Sequence, residues 1–138
     1  MSVLNIKFLM VVVFFVIQPA HASETGTDHY TAGEIASVRD AVRTLGTSGD
    51  AIAAVLEKEN LGVQELEQIH EISYTIEAAV KKLRESGKFE TGKLDTLAST
   101  VEEIHLASEY HLEEIVRKYF KDYATDVSAV LETEKATH

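Results

Sequence analysis

Two histidines, His70 and His105, each follow a glutamate by three positions, Glu67 and Glu102. On a helix, side chains at i and i+3 share a face, so each pair can offer a carboxylate oxygen and an imidazole nitrogen to the same ion. Two such pairs on neighbouring helices make an oxygen and nitrogen donor set without sulfur. That set suits Fe, Mn or Zn, and a histidine-rich set also takes Cu(II). The candidate metal ligands are therefore Glu67, His70, Glu102 and His105, with Asp50 and Glu113 or Glu114 as completions from other helices. A packing alternative stands beside this one. Each histidine follows an isoleucine of the apolar stripe, where an imidazole can bury its ring and hydrogen-bond a neighbour. With 23 acidic side chains in the chain, Glu-x-x-His also arises easily by chance.

The two pairs belong to a longer echo. LEQIHEISYTIEAAVKKL begins at Leu66, and VEEIHLASEYH, beginning at Val101, runs on into LEEIVRKY. Both copies continue into Tyr-x-(Ile/Leu)-Glu and then a Val-basic-Lys tail. Aligning them requires one extra residue at Glu109, which shifts the register there.

The elements that must position these residues are helical. The one proline is Pro19, so everything after it can form long uninterrupted helices. Thr31 to Glu34 fits a capping box, and Ile35, Val38, Val42, Leu45, Gly49, Ile52 and Leu56 keep helical phase through GTSGD. One first helix over about 32–58 is expected, weakened or kinked near Gly46 and Gly49, and ended at Asn60-Leu61-Gly62, whose Asn and Gly tolerate the left-handed conformation. Leu66, Ile69, Ser73, Ile76, Val80 and Leu83 mark a second stripe, stopped by Ser86-Gly87. Leu94, Leu97, Val101, Ile104 and Ser108 mark a third. A tight break at about 109–111 then precedes a fourth helix from Leu112 to Leu131, with Ile115, Tyr119, Tyr123, Val127 and Val130 facing inward. His111, beside that turn, reads as a cap of the fourth helix or an extra ligand at the same end. Four helices with short links predict an all-α, antiparallel up-down-up-down four-helix bundle. A long helical hairpin that dimerises into such a bundle is the alternative.

Around that bundle, the N-terminus reads as a cleaved signal peptide over 1–22: a basic Lys7, an apolar run from Phe8 to Ile17, and a small-x-small site at Ala20-His21-Ala22. The run is shorter than the ~20 residues a membrane-spanning helix needs, so no stable membrane insertion of the mature chain is expected. The 138-residue chain less these 22 residues is 116 residues long, enough for one domain. A flexible lead over 23–30, a helical domain over 31–132 and a disordered tail over 133–138 follow. There is no cysteine, which excludes thiolate metal and redox chemistry and any disulfide framework. Without Lys7 the chain has 12 basic against 23 acidic side chains, a formal charge of −11 with His neutral. Nucleic acid is thereby excluded as a partner for want of a basic face. No Gly-x-Ser-x-Gly elbow and no glycine-rich phosphate loop occurs, and nothing points to an enzyme.

If the second and third helices fold back around residue 89, residues whose numbers sum to about 178 lie level. His70 then faces Ser108, three residues or about 4.5 Å from His105. Folding the first helix back around residue 61 brings Asp50 and Ile52 near that level, and folding the fourth around residue 110 brings Glu114 and Ile115 there. The donor set resembles the ferritin-like di-metal pattern in spacing, but there the Glu-x-x-His motifs lie on the second and fourth helices. Here they fall on the second and third, which points to one ion rather than two. A b-type haem held by His70 and His105 has no attachment motif to support it.

The phrases IHEISYTIEAAVKKL and VEEIHLASE, with the signal peptide and the DHY lead at Asp28, resemble a family of small exported proteobacterial proteins whose domain is of unknown function. The resemblance covers roughly residues 28 to 131 and implies a periplasmic helical protein, with no activity to carry over. The reading is a periplasmic or secreted, non-enzymatic binding or accessory bundle, whose sharpest form is a metal site at the two Glu-x-x-His segments. Its alternative is a structural or protein-interaction bundle with an acidic surface and no metal. A protein partner or a homodimer is compatible with either.

Overall fold

The described residues, 33–135 of this computed structural model, contain four helices and no strand, so the domain is all-α. They are α1 (Val38–Leu56), α2 (Val63–Ser86), α3 (Thr91–Glu109) and α4 (Glu113–Lys135). The expected signal segment, the lead and the Thr31 cap lie outside the described residues.

The start of α1 differs from the expectation by about six residues. Residues 33–36 are not helical, and Ser37 is the cap: its hydroxyl oxygen accepts from the Asp40 backbone N–H at 3.1 Å and its hydroxyl donates to the Asp40 carboxylate at 2.7 Å. From there α1 runs unbroken through Gly46 and Gly49. Gly49 has a tertiary reason. A Cβ built there would stand 2.9 Å from Tyr123 Cε1, so the missing side chain makes room for the α4 ring. Tyr123 is buried and its hydroxyl donates to the Leu45 carbonyl at 2.7 Å. Burial, with the Asp50 carboxylate adding to it, pushes the phenol pKa well up.

The end of α1 was expected to use the left-handed region at Asn60 or Gly62, and it does not. Gly62 is extended (φ −84°, ψ 179°) and serves as the N-cap of α2, with the Glu65 carboxylate accepting from its N–H at 3.0 Å. The α1 carbonyls are capped from another helix. Arg117 on α4 donates to Leu56 O at 2.8 Å and to Lys58 O at 2.6 Å, bringing a cation to a helix terminus with no basic residue of its own. Glu113 completes this clamp, accepting from Arg117 Nε at 2.9 Å and from the Leu61 N–H at 3.1 Å. Those bonds, Leu61 first, hold its carboxyl below the usual range.

The core follows the apolar stripes. Every expected inward residue of α2 and α3 is buried, including Ser73 and Ser108, which turn their hydroxyls onto the carbonyls three residues back. In α4 the first turn is rotated relative to the expectation: Val116 is fully buried and Ile115 is exposed. Adjacent Ile and Val fit the pattern equally, and the turn before α4 selects between them. That turn is where the break was expected. Leu112 N–H reaches Ala107 O at 2.7 Å and His111 N–H reaches Ser108 O at 3.1 Å, with His111 at φ 56°. This is a Schellman closure of α3 with histidine in the place that glycine usually takes. Gly87, at φ 65°, ends α2 in the same backbone region. Helix α4 then runs to Lys135, past the expected end at Leu131.

Consecutive helices pack side by side, and α1 also touches α4. Arg84 meets Asp95 at 2.7 Å across α2 and α3, and Thr100 meets Asp126 at 2.6 Å across α3 and α4. No helix among the described residues is long and apolar enough to cross a membrane.

Candidate metal centre

His70 and His105 are brought together. Isoleucines 69 and 104, fully buried, pin the two helices face to face, and each following histidine falls at the margin of the shared interface. Ser73 and Ser108, small and fully buried, follow three residues after the histidines. The Nε2 atoms lie 3.2 Å apart, with the ring planes near perpendicular and the centroids 4.6 Å apart. Tyr74, one turn after His70, packs against both rings, at 5.0 Å from His70 and 4.6 Å from His105.

The third donor is Glu109. Its carboxylate and the two imidazole nitrogens lie within 4.8 Å of one another, the grouping that the described residues offer for a metal ion. Glu67 and Glu102 are exposed and stand outside it. Side-chain direction explains the exchange. Helical side chains lean toward the N-terminus, so Glu109, one turn after His105, leans back over it, whereas Glu102, one turn before, leans away toward Ala98. Glu67 leans away from His70 in the same manner.

The other expected completions are engaged elsewhere. Asp50 lines a groove between α1 and α4 with Phe120 and Tyr123. Glu113 belongs to the Arg117 clamp, and Glu114 lies beside Leu56 and Arg117. The signal for Glu109 was present in the chain as the extra residue that interrupts the echo. Read as a register shift alone, it concealed a carboxylate one helical turn after a histidine.

Three features favour a cation here. Two imidazole nitrogens bound to one ion at ~2.05 Å each, and 3.2 Å apart, subtend an angle of about 103° at the metal, close to tetrahedral. The last turn of α3 contains Glu109 and no basic residue, so a carboxylate sits at the negative end of the helix dipole without compensation. His70 is held below the ordinary imidazole range, first by burial and then by the charge of His105, against the pull of Glu109, Glu77 and Glu71. A neutral imidazole is the form that ligates.

Around His105 the polar contacts are close. Glu77 Oε1 lies 2.8 Å from Nδ1, and Ser73 Oγ lies 3.3 Å from the same atom. The Glu77 approach is at ion-pair distance, yet this buried oxygen has no partner of good hydrogen-bonding geometry. The terminal torsion of a glutamate is broad, and rotation about it brings the oxygen onto the ring nitrogen's hydrogen-bonding direction.

No curated protein and no solved structure matches the chain. The two histidine segments, their shared isoleucine and serine positions and the helices that carry them all lie within residues 1–132, which match the Family of unknown function (DUF6746), and the chain belongs to that family.

Proposed function

We propose that this protein is an exported, non-enzymatic helical-bundle binding protein that holds one divalent transition-metal ion between α2 and α3. His70 and His105 are its nitrogen ligands, and Glu109 takes the carboxylate role that the sequence assigned to Glu67 and Glu102. The observation that carries this reading is the 3.2 Å separation of the two Nε2 atoms with a carboxylate beside them. Two imidazoles and a carboxylate suit Zn, Cu(II), Fe or Mn and leave a coordination position open. An antiparallel up-down-up-down order is part of the proposal, supported by Arg84 meeting Asp95 and by Leu45 and Leu56 meeting Tyr123 and Arg117. So is export to the periplasm or beyond, with removal of residues 1–22, supported by the N-terminal apolar run and its small-x-small site.

The test is thermal. Zn(II), Cu(II), Mn(II) or Fe(II) added to metal-free mature chain stabilises the folded state by about 2.7 kcal/mol at a hundredfold excess over Kd. A rise in Tm with at least one ion is expected, and its absence in His70→Ala plus His105→Ala. No rise with any ion, or an equal rise in the double variant, would overturn the reading.

A second reading, a protein-interaction bundle without metal, is favoured by Val63, Tyr110, Leu112 and Ile115, large apolar residues exposed around the α1–α2 and α3–α4 links. In that case Tm is insensitive to all four ions, and sedimentation at rising concentration gives a dimer that Leu112→Ser dissolves.

A further inference from the structure

The histidine pair is not symmetric in its protons. Ser73 has one hydroxyl proton and gives it to the His70 carbonyl at 2.6 Å, so toward His105 Nδ1 its oxygen can only accept. The other neighbour of Nδ1, the Glu77 carboxylate at 2.8 Å, also can only accept. Two acceptors converging on one ring nitrogen require it to carry hydrogen. With the ring neutral, Nε2 is then a bare lone pair, and it faces His70 Nε2 at 3.2 Å. For that contact to be a hydrogen bond, His70 must be the donor.

We propose that Glu77 is a positioning residue which, with Ser73, locks His105 in its Nδ1–H form, so that His105 is a ready-made ligand and His70 is the member that must move its proton from Nε2 to Nδ1 to admit an ion. The ring of His70 keeps one proton throughout, so no net proton is taken up or released. Glu77, His105 and the ion then form the carboxylate–histidine–metal arrangement in which an outer carboxylate sets the tautomer and raises ligand basicity. Tyr74, packed on both rings, limits their rotation. The metal part of this inference rests on the metal reading above, whereas the tautomer part does not.

The experiment is a two-bond proton–nitrogen correlation spectrum of the 15N-labelled metal-free protein at pH 8, with His70 and His105 assigned. His105 is expected as Nδ1–H and His70 as Nε2–H. Glu77→Gln is expected to mix the two forms of His105. The same variant should weaken Zn(II) binding roughly 10–100-fold while the melting temperature of the metal-free chain stays that of the wild type, because the Glu77 side chain is 37% exposed. Should Glu77→Gln lower the metal-free melting temperature, the tautomers of the wild-type chain alone decide the matter. Zn(II) is expected to convert His70 to Nδ1–H and leave His105 as it was. A wild-type His105 found as Nε2–H overturns the inference whether or not Zn(II) binds. An Nδ1–H His105 in a chain that takes up no Zn(II) supports the lock and sinks the metal reading.

Discussion

The two copies of the echoed phrase agree in the core and disagree at the surface. In both, the isoleucine before the histidine is fully buried, and the serine three residues after it is fully buried with its hydroxyl on the histidine carbonyl. One turn after the histidine they part: α2 has Tyr74, a ring packed on the imidazoles, and α3 has Glu109, an exposed carboxylate. Two further residues sharpen the contrast. Glu77 in the first copy turns to His105, while its counterpart Glu113, beyond the inserted residue and the turn, holds the end of α1. The two copies share their packing, and the extra residue of the second sets a carboxylate where the first has a ring.

The strongest test of the shared part is truncation. Ile69→Ala and Ile104→Ala should each cost about 2–5 kcal/mol in urea unfolding, and by similar amounts, since both lose a buried side chain in equivalent settings. A near-neutral result at either position would break the equivalence of the copies.

The divided part is tested by charge removal. Glu109→Gln should weaken binding of the ion that raises Tm by at least about tenfold, as loss of a charge-assisted ligand does, while Glu67→Gln and Glu102→Gln leave it unchanged. Titration calorimetry on the three variants compares them directly. An equal loss in all three would restore the symmetric site expected from the sequence.

Smaller effects come from the helix ends. Gly87 and His111 close α2 and α3 in the same left-handed region, at φ 65° and 56°. Gly87→Ala should cost about 1 kcal/mol and His111→Gly should gain up to about 1 kcal/mol, because only glycine occupies that region without strain. Opposite signs in thermal unfolding are the outcome to look for.

The least effect is protonic. His70 has a native pKa below its unfolded value, so the unfolded chain binds the proton first and stability falls as pH drops through about 6.5 and below. Above that window the contribution is flat. The metal-free wild type should lose stability on acidification from pH 7 more steeply than His70→Gln, and parallel curves would remove His70 as the source.

Much of this was legible beforehand because it rests on local pattern. The stripes of α2 and α3, the stop at Gly87 and the break near His111 follow from apolar spacing and backbone preference, which a one-dimensional chain displays. Three features read otherwise depended on something beyond the local stretch. The end of α1 was assigned to Asn60 and Gly62, whereas Arg117 caps it from α4. Ile115 was set inward where Val116 lies, since the direction of the preceding turn decides between adjacent apolar residues. Gly49 looked like a weak point in a helix, and its use is visible only with the Tyr123 ring beside it.

The same division runs through the candidate metal centre. That two histidines stand level on adjacent helices could be read from residue numbers and helical rise, because period and link length carry it. Which carboxylate lies beside them could not, because it depends on the lean of side chains along the packed helices and on a turn that leaves Glu109 exposed beside His105. Spacing along one helix says which residues share a face; only the packed helices say which of them meet.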